Sequence, residues 1–182
     1  KVITFPPISM KLNKEAMEKN KFNRFRFGKV GMRADYAFIS NAIASLKDKG
    51  KAVIAVADGP LFQSGSTGKI RQNLVDNDLI EAVISLPDHM FITTGVPINL
   101  LVINKNKHNF KGKIQFINGN QTDWYKHGRF VNALTSTGIE EITKIYTEKI
   151  KKDGISTIIN NDDYKDTLSV KKYILPTDIT ID

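Results

Sequence analysis

The chain has 182 residues, of which 41% are hydrophobic and 25% charged, and its formal net charge is +8. This composition is typical of a globular protein with a proper core and excludes an intrinsically disordered chain. Because cysteine is absent, disulfides and thiolate metal sites are excluded. No apolar run approaches the roughly 20 residues that cross a bilayer, and the first residues do not resemble a secretory signal. We therefore expect a cytoplasmic protein without a membrane partner.

A short apolar strand, Val2-Ile3-Thr4, leads directly into Phe5-Pro6-Pro7-Ile8. Proline lacks a backbone N–H and has a fixed φ, so the Pro-Pro pair ends the strand and leaves carbonyls that can only accept hydrogen bonds. Ligands of open α/β sheets bind at the carboxyl ends of strands. The junction either holds a flat group that bears hydrogen-bond donors or is an ordinary proline-rich entry into a loop.

Positive charge is concentrated in residues 11–33, which we call the basic stretch; eight lysines and arginines accompany two glutamates there. Phe22, Phe25 and Phe27 alternate with the cations, a pattern typical of nucleic-acid contacts in which cations bind phosphates and rings stack or wedge. The alternative is a solvated loop whose phenylalanines pack back onto the core. The candidate DNA-binding residues are Lys21, Arg24, Arg26, Lys29 and Arg33.

Helices and strands alternate through the next part of the chain. Helical spacing of apolar residues predicts helices over 34–49 and 69–77, and apolar runs predict strands over 51–57, 79–86, 98–103 and 113–117. This order predicts half of a doubly wound sheet. The connection between strands 79–86 and 98–103 is too short for a crossover helix, so we expect these two strands to pair antiparallel.

The carboxyl-terminal part predicts one further helix and one further strand. Thr137 and Glu140 have the spacing of a capping box at the start of a helix that carries isoleucines at helical intervals. Residues 156–159 are strand-like. Trp124 and Tyr125 lie in the segment 123–129. They either form an exposed aromatic-basic patch or pin the tail of the chain, and pinning is the favoured interpretation.

Other motifs predict no chemistry. The loop 65–69 departs from the phosphate-binding pattern, because Gln63 stands where the first glycine belongs and Ile70 replaces Ser or Thr, so we interpret it as the cap of a helix. Asp58 ends a strand and is expected to cap a turn. The three histidines have no partners at metal-ligand spacing, so no metal site is predicted.

Several long segments nevertheless resemble one family in the right order. Residues 50–62, 68–71, 79–87 and 91–97 look like the modification subunit of type I restriction–modification systems, the adenine-specific N-6 DNA methylases, and 34–38, 161–164 and 169–174 extend the resemblance. The resemblance implies an α/β fold. Residues 1–110 would form the second, catalytic-strand half of a Rossmann-like S-adenosylmethionine-dependent methyltransferase sheet, and 111–182 an α+β carboxyl-terminal extension packed on it.

The implied activity is transfer of a methyl group from S-adenosylmethionine to N6 of an adenine flipped out of duplex DNA. The catalytic Asn-Pro-Pro-aromatic motif of the family matches Phe5, Pro6, Pro7 and Ile8. In the family, the Asn side chain and the next carbonyl accept hydrogen bonds from the N6 amine, and the aromatic ring stacks on the base. Phe5 cannot accept a hydrogen bond and Ile8 has no ring, so only the Pro6 carbonyl is retained.

The resemblance also implies partners: duplex DNA, a specificity subunit and a restriction subunit. The cofactor motif of the family, a glycine-rich turn, lies upstream of the catalytic strand at which this chain begins, so no cofactor-binding residue is assigned. Because the catalytic motif is degenerate, an alternative function is a catalytically inactive homologue that scaffolds a DNA-bound complex. An unrelated Rossmann-like nucleotide enzyme is a third possibility.

Overall fold

The computed structural model describes residues 1–13, 15, 22–92 and 94–174. The described strands are β1 (Val2–Thr4), β2 (Lys51–Ala57), β3 (Ile80–Ser85), β4 (Ile98–Asn104), β5 (Lys113–Asn118), β6 (Tyr125–Lys126), β7 (Ala133–Leu134) and β8 (Ser156–Asn160). The described α-helices are α1 (Asp35–Ser45), α2 (Gly59–Phe62), α3 (Ser66–Asp76) and α4 (Ser136–Glu148). None of these helices is long and apolar enough to cross a membrane.

Six of the described strands form one sheet in the order β1-β2-β4-β3-β5-β8, and β6 and β7 form a separate hairpin. β1 pairs parallel with β2, and β3 pairs parallel with β5. β4 runs antiparallel between β2 and β3, which confirms the predicted antiparallel pairing of the strands near 79–86 and 98–103. Strands from both 1–110 and 111–182 join this sheet; the division into two parts stays a prediction.

Apolar residues cover both faces of the sheet, as expected for a doubly wound fold. On one face, α1 and α3 insert residues such as Ile43 and Leu74 against Leu101 and Phe116. On the other face, α4 packs Ile142 and neighbouring residues against the sheet, together with Trp124. Trp124 is buried in this cluster and so is not part of an exposed aromatic patch, whereas Tyr125 is half-buried.

Several predicted boundaries differ from the observed ones. The first helix ends at Ser45 and not near 49, because Leu46 turns extended and buries its side chain in the core. α3 begins at Ser66, three residues before the predicted start, because Gly65 adopts a φ of 72° and its carbonyl accepts the amide of Lys69. Such a φ favours glycine.

The predicted capping box at Thr137 and Glu140 is wrong. Thr135 is the N-cap of α4, and its side-chain oxygen accepts the amide N–H of Gly138 at 3.0 Å. Both the amide and the hydroxyl of Thr135 also donate to the carbonyl of Trp124. The buried tryptophan therefore sets where the helix begins, a constraint that local spacing does not report.

The buried guanidinium of Arg71 connects residues 164–166 to residues 60–63, which follow β2. The side chain of Arg71 on α3 is fully buried and donates hydrogen bonds to the carbonyls of Pro60, Gln63 and Asp166. Its Nε atom also donates to the hydroxyl of Tyr164 at 3.2 Å. Distributing the donors of one cation over several carbonyls satisfies it without a fully buried anion.

Glu81 is a second buried charge, located on β3 with its side chain only 6% exposed. Lys51 and Lys149 each approach its carboxylate at 2.9 Å, and Asn104 donates to it at 2.8 Å. Burial by itself raises the pKa of Glu81, but the hydrogen bonds from Lys149, Lys51 and Asn104 outweigh it and lower the pKa to about 2.

We expect Glu81→Gln to lower the free energy of unfolding at neutral pH by about 3 kcal/mol, because Lys51 and Lys149 lose the carboxylate with which each forms an ion pair. The folded-state pKa of Glu81 lies below its ordinary value of 4.5, so its contribution is present above that pH and is lost as the pH falls towards about 2. Denaturant unfolding at several pH values measures this. Glu140→Gln, at an exposed glutamate of α4, is the control. A difference between wild type and Glu81→Gln that does not shrink in acid would contradict the assignment.

Candidate functional site

A cleft of about 530 Å³ opens where β1 ends. This volume lies in the range of small-molecule sites. All four residues of the predicted motif line it, from the Phe5-Pro6-Pro7-Ile8 junction. The other lining residues are Ser9, Ala55, Phe91, Thr94, Val96 and Ile98. The carboxyl end of β1 thus brings the predicted residues together with the β2 and β4 surface and with the loop between β3 and β4.

Two aromatic rings meet edge to face in this cleft. The ring of Phe5 is 62% exposed, and its centroid lies 6.0 Å from that of Phe91 at an interplanar angle of 64°. Phe91 belongs to the β3–β4 loop, where its carbonyl accepts the amide of Thr94. The sequence interpretation did not assign Phe91 to the site. The available signal was an aromatic residue within the segment 91–97 that carries the family resemblance.

None of the described residues that line the cleft has an ionisable side chain. Its polar side chains are the hydroxyls of Ser9 and Thr94, and the latter already accepts the amide of Val96 at 3.1 Å. The cleft can therefore hold a flat ring between apolar walls and offer backbone carbonyls, but its lining supplies no general acid or base. The described lining residues also include no carboxylate for a ribose and no glycine-rich turn, so these walls alone do not fit S-adenosylmethionine.

A separate polar groove of about 400 Å³ lies along the same edge of the sheet, past the ends of β2, β3 and β5. Asp58 lies here, and its Oδ1 atom accepts a hydrogen bond from Nδ2 of Asn99 at 2.7 Å. Its side chain makes no capping hydrogen bond, although its carbonyl accepts the amide of Leu61 at the start of α2. The expected turn is present, but the carboxylate holds Asn99 rather than the helix end.

Among the candidate DNA-binding residues, Arg26, Lys29 and Arg33 are exposed and Arg24 is half-buried. Nη1 of Arg24 donates to Oδ1 of Asn41 at 3.3 Å. The fifth candidate, Lys21, lies outside the described residues.

The phenylalanines of the basic stretch divide between the two alternatives. Phe27 is buried and Phe25 packs against the core, whereas Phe22 is exposed. Guanidinium groups lie over two of the rings: Arg24 over Phe22 and Arg26 over Phe27, each 4.9 Å from the ring centroid. Phe25 and Phe27 therefore anchor the basic stretch to the core, whereas Phe22 is presented to solvent.

The two ends of the basic stretch meet beside the cleft. The amide of Leu12 donates to the carbonyl of Met32, and the amide of Ala34 donates to the carbonyl of Met10, both at 2.8 Å. Met10 lies two residues after Ile8, the last residue of the proline junction, so the stretch leaves and re-enters the fold next to the candidate site. Burial raises the pKa of Asp35 at this point, and the Arg33 charge offsets only part of that rise.

His89, His108 and His127 are exposed, and no group of three or more His, Asp or Glu side chains within the described ranges could hold a metal ion.

Known proteins resemble this chain in both sequence and fold. The sequence profile of the N-6 DNA Methylase family matches residues 1–180. The type I restriction enzyme MjaVIII methylase subunit of Methanocaldococcus jannaschii is 36% identical over 149 residues, which are 79% of this chain and 25% of that protein. The MpnII methylase subunit of Mycoplasma pneumoniae is 29% identical over 181 residues, 95% of this chain and 33% of that protein.

A solved structure, the type I restriction–modification methyltransferase subunit from Streptococcus thermophilus, superimposes with a TM-score of 0.84 at 27% identity and covers 96% of this chain and 38% of that one. The chain thus spans between 25% and 38% of the length of these three proteins. The match over nearly every residue, together with the fold, shows that the chain belongs to the N-6 DNA methylase family.

Proposed function

We propose that this chain is the part of a type I restriction–modification DNA methyltransferase subunit that holds the target adenine while a methyl group passes from S-adenosylmethionine to N6. The observation that carries the proposal is the cleft at the carboxyl end of β1, in which the Phe5-Pro6-Pro7-Ile8 junction faces Phe91. In this proposal the junction takes the place of the family motif that grips adenine.

The residues of the cleft have distinct roles in this proposal. The target adenine leaves the duplex, because its N6 atom is unreachable inside the base stack. Its ring lies against Phe91, and the Pro6 carbonyl accepts a hydrogen bond from the exocyclic amine. The cofactor supplies the methyl group when bound. The rest of the cleft contributes apolar walls that keep water from the base.

Outside the cleft, the basic stretch binds the DNA backbone through Lys21, Arg24, Arg26, Lys29 and Arg33. Sequence recognition requires a specificity subunit, and a restriction subunit completes the system; both are inferred from the type I relatives. Positive charges beside a cleft that accepts a flipped base neutralise the phosphates on either side of it.

A second candidate function is a catalytically inactive homologue that scaffolds a DNA-bound complex. The observation in its favour is chemical: Phe5 occupies the position at which the family presents an amide oxygen, and Ile8 replaces a stacking ring. Positioned hydrogen-bond partners supply a large part of such catalysis. Methyl-transfer assays therefore separate the two candidates.

The first test restores the missing groups. We expect the full-length protein, assembled with its specificity subunit, to transfer labelled methyl groups slowly to adenine in site-bearing DNA. The double variant Phe5→Asn with Ile8→Phe should raise the transfer rate about 100-fold, because it supplies the absent acceptor and ring. Phe62→Asn, at an exposed phenylalanine outside the cleft, is the matched control and should leave the rate unchanged.

The outcomes separate the candidates cleanly. A wild-type protein that binds DNA and never methylates it, but gains activity in the double variant, is a scaffold. If neither protein transfers methyl groups to adenine while the cofactor is bound, the proposed reaction is wrong.

The second test concerns Phe91. We expect Phe91→Ala to weaken binding to a duplex carrying an extrahelical 2-aminopurine at the target position by about tenfold, because stacking on an aromatic ring contributes about 1–3 kcal/mol per base. Binding titrations and the fluorescence of 2-aminopurine measure this. Ile92→Ala is the control, since this neighbouring side chain is 83% exposed and does not line the cleft. Equal losses in both variants would argue against stacking by Phe91.

The third test concerns the basic stretch. Neutralising two exposed cations, Arg26→Gln with Lys29→Gln, should weaken binding to every DNA sequence and reduce the slope of log Kd against log salt by about 2. The control, Lys47→Gln with Lys49→Gln, removes the same charge at the opposite edge of the sheet. An unchanged slope in the Arg26–Lys29 variant would refute a phosphate contact there.

A further inference from the structure

The hairpin formed by β6 and β7 is a second feature beside the cleft. Its two short strands pair Tyr125 with Leu134 and Lys126 with Ala133, and a six-residue loop joins them. The base of the hairpin is rigid, because Trp124 is buried and its carbonyl is held by Thr135 at the start of α4.

The tip of this hairpin is basic, aromatic and exposed. Lys126 and Arg129 are both exposed, and residues 126–131 include no acidic side chain. Phe130 is 72% exposed, and the guanidinium of Arg129 lies 5.2 Å from its ring centroid. An exposed aromatic ring beside cationic side chains is the combination with which proteins bind nucleic acid, because the ring stacks on a base while the cations bind phosphates.

The hairpin is fastened to the loop that forms one wall of the cleft. The amide of Asn132 donates to the carbonyl of His89 at 2.7 Å, and its Nδ2 atom donates to the carbonyl of Asp88 at 2.9 Å. Both carbonyls belong to the β3–β4 loop, the loop that also carries Phe91. The ring of His89 also packs on Gly95, where a Cβ atom would lie 2.8 Å from Nε2.

Close contacts also define the loop conformation. A Cβ atom on Gly128 would lie 2.1 Å from the carbonyl oxygen of Val131, so the turn admits no larger residue without moving. Nδ1 of His127 lies 3.1 Å from Oδ1 of Asn132, which links the tip to its anchor. Lys126, Arg129 and Phe130 are therefore presented from a defined scaffold on the cleft side of the sheet.

We propose that this hairpin tip is a second DNA-binding element, in which Lys126 and Arg129 bind backbone phosphates beside the target site and Phe130 contacts an exposed base or sugar. The inference rests on the proposed function, because it takes DNA as the ligand of the neighbouring cleft. The occupant is duplex DNA, since the tip carries two positive charges and a free ring face and no carboxylate.

The test uses the full-length protein with its specificity subunit and measures Kd for a site-bearing duplex over a series of KCl concentrations. Lys126→Gln with Arg129→Gln should weaken binding and reduce the slope of log Kd against log salt by about 2, as expected for two lost phosphate contacts. Phe130→Ala should weaken binding about tenfold and leave the slope unchanged. Lys111→Gln with Lys113→Gln, at exposed lysines on the opposite edge of the sheet, is the matched control.

A wild-type slope in the Lys126–Arg129 variant would overturn the inference. So would loss of assembly with the specificity subunit at an unchanged slope, because that result assigns the tip to a protein partner. A wild-type protein that binds DNA without methylating adenine, and whose slope still falls in the variant, supports the hairpin contact and rejects the catalytic function. A wild-type protein with no affinity for DNA would overturn both proposals.

Discussion

The parallel pairing of β1 with β2 is the constraint on which the candidate site depends. The register pairs Val2 with Ala52 and Thr4 with Ile54, so β1 ends at the same edge of the sheet as β2. β4 enters from that edge and runs antiparallel between β2 and β3. The loop that precedes β4 therefore begins and ends at the end of the sheet where β1 stops, and within this loop Phe91 contacts the ring of Phe5. Strand direction thus places the proline junction and the β3–β4 loop at the same end of the sheet.

The two edges of the sheet at which the strands begin and end differ in their charged residues. One edge holds a buried group of ion pairs that stabilises the fold, and the other holds the candidate cleft. At one edge, Lys51 and Lys149 enclose the buried carboxylate of Glu81. The described residues that line the cleft at the other edge are apolar or uncharged. The exposed cations Arg26, Lys29 and Arg33 of the basic stretch, and Lys126 and Arg129 of the β6–β7 hairpin, are not among its lining residues. Such an arrangement suits a ligand whose backbone is anionic and whose reacting part is a flat, uncharged ring.

The Phe5-Pro6-Pro7-Ile8 junction combines a rigid backbone with side chains that cannot accept a hydrogen bond. Two consecutive prolines fix the backbone, and the side chain at position 5 is an exposed ring. This ring lines an open cleft and is not among the described residues that form the core. Under the proposed function, the junction therefore lacks the polar side chain that a transfer reaction needs to orient the amine.

Sequence patterns predicted the strands Val2–Thr4 and Lys51–Ala57, the antiparallel turn-back and the proline junction, because strand periodicity and proline geometry are local properties. The family could also be recognised, since its motifs are contiguous. Local patterns could not predict the cap at Thr135, which depends on Trp124, or the early end of α1 at Leu46. The pairing of Phe5 with Phe91 and the grip of Asn132 on Asp88 were likewise decided by tertiary structure. In each of these cases the partner is distant in the chain or buried in the core, and one-dimensional spacing carries no record of which distant residues the sheet brings together.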